Sequence, residues 1–137
     1  MNVQRQIIFH KHYFMDFYIE LPGKVQEKIE YVFKIIRNVK NVPKKFLEHL
    51  TGTEGLYEIR IEFESNIYRI FCCFDKGNIV VLFNGFQKKS QRTPAKEIAL
   101  ALKLKDEYFN LKIRSTLSQA ISTLIEGSET IGEVKSS

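Results

Sequence analysis

The chain has 137 residues and a mass of 16.1 kDa, which is the size of a single domain. Hydrophobic residues make up 44% of it and aromatic residues 12%, so a core can form and a largely disordered chain is excluded. No apolar run is long enough to predict a membrane-spanning helix, and the first residues lack the apolar run of a signal peptide. We therefore expect a cytoplasmic protein.

The formal net charge is +5, and the positive charge is clustered in two places. One cluster contains Lys88, Lys89, Arg92 and Lys96, with no acidic residue between its first and last members. The other extends from residue 34 to residue 45 and ends with Lys44 and Lys45. Clustered cations indicate a polyanionic partner, such as a nucleic acid.

The only two cysteines, Cys72 and Cys73, are adjacent in the sequence. Neighbouring residues in a strand point to opposite faces, so a disulfide between them is geometrically poor, and we expect both to be small buried side chains. The sequence contains no cysteine and histidine cluster with metal-ligand spacing. We therefore predict neither a metal site nor a cofactor.

The first half of the chain predicts one strand and two helices. Residues 4–10 are typical of a short strand, and apolar residues recur at helical spacing over residues 14–21 and again over residues 25–36. Pro22-Gly23 separates the two helical patterns, and Pro43 follows the second one. Residues 46–50 predict a short helical turn or a loop.

From Gly55 the period changes to that of strands. Residues 57–63, 67–74 and 79–86 predict three strands joined by short turns, which should form an antiparallel meander. Thr93 and Pro94 have the residue types that begin a helix, and apolar residues follow at helical spacing. The order of elements predicts a small α+β domain.

The composition changes beyond residue 112, where serine and threonine dominate and aromatic residues are absent. This tail predicts a weak helix to about Ile125 and a disordered end from Gly127. We therefore divide the chain into a domain of residues 1–112 and a C-terminal tail of residues 113–137.

Four motifs occur in a characteristic order: Leu50-Thr-Gly, Gly55-Leu-Tyr-Glu-Ile-Arg-Ile61, Tyr68-Arg-Ile70 and Gly85-Phe-Gln-Lys-Lys-Ser-Gln-Arg-Thr-Pro94. Together they resemble the RelE/HigB toxin superfamily, in particular its phage-derived HigB-like branch, over about residues 7–109. The resemblance implies a RelE-like fold, with a small antiparallel sheet, two N-terminal helices and a C-terminal helix. It also implies a ribosome-dependent endoribonuclease that cleaves mRNA, and a helix-turn-helix antitoxin as partner.

RNA cleavage without a metal can use the ribose 2′-hydroxyl as the nucleophile, and the site must then stabilise the charge that develops on the phosphate. Arginine suits this task because its planar fork meets two phosphate oxygens together. With the motifs as guide, we predict catalytic roles for Arg60, Arg69, Lys88 and Lys89. The predicted RNA-binding residues are Lys88, Lys89, Arg92, Lys96, Lys44 and Lys45.

Each of these residues also has a structural interpretation. Arg60 could pair with a glutamate of the sheet, and Arg69 with Glu58 or Glu62 on the neighbouring strand. The lysines could belong to a solvated loop. The corresponding alternative function is a non-catalytic protein on the same fold, either a relative of the ParE toxins that poison gyrase or an inactive prophage remnant that binds only an antitoxin.

Overall fold

A computed structural model describes the backbone of residues 3–136 and the side chains of residues 3–127. In chain order the elements are β1 (Gln6–Phe9), α1 (Tyr13–Ile19), α2 (Gly23–Asn38), β2 (Leu47–His49), β3 (Tyr57–Phe63), β4 (Asn66–Asp75), β5 (Ile79–Lys88) and α3 (Ala95–Ser136). The chain divides into two compact units, Met1–Lys105 and Asp106–Ser137.

The strands form one five-stranded sheet in the order β1-β5-β4-β3-β2. Strands β2 to β5 pair antiparallel, which confirms the predicted meander and the α+β class. The sheet as a whole is mixed, because β1 pairs parallel to β5, whereas the resemblance implied an antiparallel sheet. Strand β2 lies where the sequence predicted a short helical turn or a loop, because its pairing with β3 supplies backbone hydrogen bonds that a local pattern does not reveal.

The main core lies between the two N-terminal helices and one face of the sheet. Helix α2 buries the apolar stripe that its sequence predicts, which consists of Val25, Ile29, Val32, Phe33 and Ile36. Strand residues that point to the helix-covered face of the sheet complete this cluster, among them Ile59, Ile61 and Ile70. Both cysteines are buried and free, as expected, and burial raises the pKa of the Cys73 thiol to about 11.

A single arginine fixes the C-terminal end of α2. The Arg5 guanidinium donates hydrogen bonds of 2.7 Å to the carbonyl oxygens of Ile36, Val39 and Lys40. Carbonyls at a helix C-terminus lack partners within the helix and carry partial negative charge, so a cation there stabilises the end. These hydrogen bonds also connect the segment before β1 to the C-terminal end of α2.

Helix α3 is continuous where the sequence predicted a weak helix followed by a disordered end. Its backbone passes through residue 112 without a break and continues through Gly127 to Ser136, while the side chains of residues 128–137 lie outside the described part. Thr116 and Thr123 donate their hydroxyl protons to the carbonyls of Lys112 and Gln119, one turn earlier. Hydroxyl residues of this kind tolerate a helix, and no proline interrupts the segment. No described helix is apolar enough over sufficient length to cross a membrane.

Candidate active site

The face of the sheet opposite the α1 and α2 core carries the predicted catalytic arginines. Residues two apart in a strand share a face, so Glu58, Arg60 and Glu62 of β3 lie together, opposite Ile59 and Ile61. Strand register brings Arg60 directly opposite Arg69 of β4. The motif residues that are nine positions apart in the sequence therefore meet as one cross-strand pair.

Arg60 is the accessible member of this pair. Its side chain is 31% exposed, and Nη1 donates a 2.8 Å hydrogen bond to Oε2 of Glu48 on β2. Its Nε lies 3.8 Å from Oε1 of Glu58. The guanidinium is thus held in place by carboxylates while part of it faces solvent.

Arg69 is buried beneath the surface, with 2% of the residue exposed. Its Nη1 donates a 3.2 Å hydrogen bond to the carbonyl of Tyr68, and its Nε lies 3.7 Å from Oε1 of Glu58. Burial lowers the pKa of the guanidinium, nearby Arg60 lowers it further, and Glu58 opposes both effects. The ion pair with Glu58 is the structural interpretation that the sequence offered for this residue.

Glu58 links the two arginines. Its Oε1 lies between the Nε atoms of Arg60 and Arg69, and its Oε2 is buried without a hydrogen-bond partner. Two like charges opposite each other across a sheet repel, so the carboxylates of Glu58 and Glu48 are what allow the pair to form. The four side chains form one charge network that runs from the buried Arg69 through Glu58 and Arg60 to the partly exposed Glu48.

Lys88 of β5 lies on the same face of the sheet as the two arginines. It pairs with Ile67, two residues from Arg69 along β4, so its side chain emerges on the arginine side of the sheet about 7 Å further along the strands. Lys88 and Lys89 also line a shallow surface pocket of about 390 Å³ with Ile67, Ser90 and Gln91. Arg92 and Lys96 are exposed in the following loop and the first turn of α3, and they line neither this pocket nor the one beside Arg60.

Of the two predicted RNA-binding lysines before β2, the structure brings only Lys45 to the arginine site. Lys45 and Arg60 line a surface pocket of about 440 Å³, and the backbone N–H of Arg60 donates a 2.8 Å hydrogen bond to the carbonyl of Phe46. Lys44 is exposed and does not line this pocket. The remaining lining residues are Lys28, Tyr31, Phe46 and Glu62.

Several residues around Arg60 were not among the predicted site residues. Glu48 is placed there by β2, whose three residues are too few to show a strand period. The sequence contained a signal for Tyr31, because it is a large aromatic residue outside the apolar stripe of α2. In the structure Tyr31 is 54% exposed. The described part of the chain contains no group of histidine, cysteine, aspartate or glutamate residues arranged to hold a metal ion.

Comparison with known proteins identifies the family. Residues 16–106 match the model of the family described as phage-derived protein Gp49-like, which is two thirds of the chain. Among solved structures, the chain is similar to that of an archaeal RelE-RelB complex from Pyrococcus horikoshii OT3, with a TM-score of 0.47 and 20% identity over 66% of this chain and 100% of the other. It is also similar to that of a RelB-RelE antitoxin-toxin complex from Methanococcus jannaschii, with a TM-score of 0.46 and 19% identity over 64% and 99%.

No curated protein sequence matches the chain significantly. Both TM-scores lie below 0.5, so the assignment rests on the family match. That match includes both arginines and the lysines of the last motif. The chain therefore belongs to the Gp49-like family of phage-derived proteins, as its resemblance to the phage-derived branch of the RelE/HigB superfamily led us to expect.

Proposed function

We propose that the protein is the toxin of a toxin-antitoxin pair and acts as an endoribonuclease on mRNA at the ribosome. The observation that carries this proposal is the cross-strand pair of Arg60 and Arg69, with Arg60 half-exposed in a network of carboxylates. Family membership supports the toxin class, and the excess positive charge suits an RNA substrate. A helix-turn-helix antitoxin is the partner that belongs to this proposal.

In the proposed reaction the 2′-oxygen of the RNA attacks the adjacent phosphorus while the bond from phosphorus to the 5′-oxygen breaks. The 2′-hydroxyl loses its proton, the leaving oxygen gains one, and the products are a 2′,3′-cyclic phosphate and a 5′-hydroxyl. Arg60 binds the non-bridging phosphate oxygens, where charge increases in the transition state. Arg69 adds positive charge from beneath, and Lys88 and Lys89 hold flanking phosphates.

The test uses the full chain, translating ribosomes and an end-labelled mRNA. Wild-type protein should produce 2′,3′-cyclic or 3′-phosphate ends together with 5′-hydroxyl ends. Under single-turnover conditions at saturating ribosomes, Arg60→Ala should lower the cleavage rate on the order of 100-fold, as expected for the loss of one preorganised donor. Arg60→Lys keeps the charge but loses the planar fork, so its rate should lie between the two. Products with 3′-hydroxyl and 5′-phosphate ends, or a wild-type rate for Arg60→Ala, contradict the mechanism.

A second candidate is the non-catalytic binding protein on the same fold. The observation that favours it is that both arginines are already engaged: Arg60 with Glu48 and Arg69 with Glu58. In that case wild-type protein binds its partner but leaves mRNA intact at every ribosome concentration. The same cleavage assay therefore separates the two functions.

A further inference from the structure

We propose that the pocket beside Arg60 is a nucleotide subsite, in which the base next to the cleaved phosphate stacks on Tyr31 and Phe46 while Lys28 and Lys45 hold its backbone. The pocket, hereafter the Tyr31 pocket, lies at the edge of β3 next to the residues that precede β2, and α2 forms its far wall. Because Arg60 also lines this pocket, the inference rests on the proposed RNA-cleaving function and extends it to substrate binding.

The two rings provide a stacking surface. The centroids of Tyr31 and Phe46 are 6.3 Å apart and their planes meet at 78°, so the two rings pack edge to face. Tyr31 is 54% exposed although it is a large aromatic residue, and burial in the α2 core does not account for its position. An exposed ring at a cationic pocket is the arrangement by which proteins bind unpaired bases of single-stranded RNA.

The cations of the pocket are positioned by the same rings. Nζ of Lys28 lies 5.4 Å from the centroid of Tyr31, and Nζ of Lys45 lies 4.9 Å from the centroid of Phe46. With Arg60, three cations surround a pocket that has one carboxylate, Glu62. Positive charge next to aromatic faces matches a nucleotide, which combines an anionic backbone with a flat base.

The size and location of the pocket favour a nucleotide over an acidic peptide of a protein partner. About 440 Å³ is within the usual range of small-molecule sites, roughly 300 to 1,000 Å³. An acidic peptide would use the lysines but would leave the exposed Tyr31 ring without a stacking partner. Arg60 lines the same pocket, so RNA whose phosphate lies on Arg60 would have its neighbouring nucleotide next to Tyr31 and Phe46.

The experiment measures binding and does not depend on cleavage. The probes are a fluorescently labelled heptanucleotide with 2′-fluoro riboses, which lacks the nucleophilic hydroxyl, and an abasic strand of the same length. Anisotropy titrations use the full chain at several salt concentrations. Wild-type protein should bind the heptanucleotide more tightly than the abasic strand.

The variants separate stacking from charge. Tyr31→Ala should weaken binding of the heptanucleotide roughly 5- to 150-fold, the usual range for one lost base stack, and should leave binding of the abasic strand unchanged. Tyr31→Phe should restore the wild-type affinity. Lys28→Ala should weaken both probes equally and reduce the salt slope by about 1, whereas Lys24→Ala, one turn earlier on α2, should change neither.

The outcomes that overturn the proposal are distinct from those that overturn the function. If Tyr31→Ala weakens both probes equally or neither, or if wild-type protein binds neither probe, the Tyr31 pocket is not a nucleotide subsite. A wild-type chain that cleaves ribosomal mRNA in that case still supports the proposed function. If both probes bind as expected but mRNA stays intact, the pocket is a nucleotide-binding site and the proposed endoribonuclease function is wrong.

Discussion

Arg60 and Arg69 are partners across β3 and β4, yet their surroundings differ because the sheet is open to solvent at Arg60 and covered at Arg69. The side chains of Arg60 and its partner Glu48 are 31% and 41% exposed, whereas those of Arg69 and its partner Glu58 are 3% and 11% exposed. Removing one partner of a buried ion pair leaves an uncompensated charge, while an exposed pair contributes little. The same substitution should therefore have very different effects on stability at the two positions.

We predict that Arg69→Ala lowers the free energy of unfolding by about 3 to 5 kcal/mol, because the buried Glu58 then loses its buried cation and keeps only the partly exposed Arg60, 3.8 Å away. Arg60→Ala should lower it by less than about 1 kcal/mol. Urea denaturation monitored by circular dichroism measures both values. The double variant Glu58→Gln, Arg69→Met should recover much of the loss, since it removes both charges together. Equal losses at the two arginines would show that the buried pair has no special role.

At the scale of elements, the packing of α1 on the sheet depends on Gly85 in β5. A Cβ atom added to Gly85 would lie 2.5 Å from Cδ2 of Phe17 in α1, which is closer than atoms in contact can approach. Gly85 lies next to the irregularity where the β4 and β5 register shifts between Ile70 and Cys72. The glycine therefore lets the Phe17 ring pack directly on the backbone of the strand.

Gly85→Ala should destabilise the protein by about 1 to 3 kcal/mol, the usual cost of inserting a methyl group into a tightly packed contact. Gly23→Ala is the matched control, because no atom lies within 4 Å of a Cβ added there, and its effect should be near zero or slightly stabilising. Thermal unfolding of the purified variants measures the difference. Combining Gly85→Ala with Phe17→Leu should cost less than the sum of the single changes. Additive losses would place the origin of the effect elsewhere.

The predictability of each element follows from how local its signal is. Helix α2 and strand β3 were predictable because their apolar residues follow the helix or strand period. Strands β4 and β5 were predictable because each is a short, nearly continuous apolar run bounded by turn residues. Strand β2 and the parallel pairing of β1 depend on partners far away in the sequence, so no local pattern contains them. For the site, the motifs named Arg60 and Arg69, and the strand register places them opposite each other, while their catalytic roles stay a prediction. The burial of Arg69 and the carboxylates around both arginines depend on tertiary packing.

On the scale of the whole molecule, the predicted site and the end of the chain belong to different units. Every predicted site residue lies in the unit that ends at Lys105, and the family match ends at residue 106. The second unit consists of the remainder of α3, whose apolar side chains Leu111, Ile113, Leu117, Ile121, Leu124 and Ile125 are exposed. All of the site residues that we predict are therefore contained in the first unit.

We predict that a chain truncated after Lys112 retains the wild-type single-turnover cleavage rate. The truncation removes none of the carboxylates, arginines or lysines of the site, and it deletes the exposed apolar residues from Ile113 onward without opening the buried core. Thermal unfolding of both chains should agree within a few degrees, which serves as the control for an intact fold. A truncated chain that melts normally but has lost cleavage would show that the last part of α3 contributes directly to the reaction or to ribosome binding. A ribosome-binding assay with the truncated chain then separates these two causes.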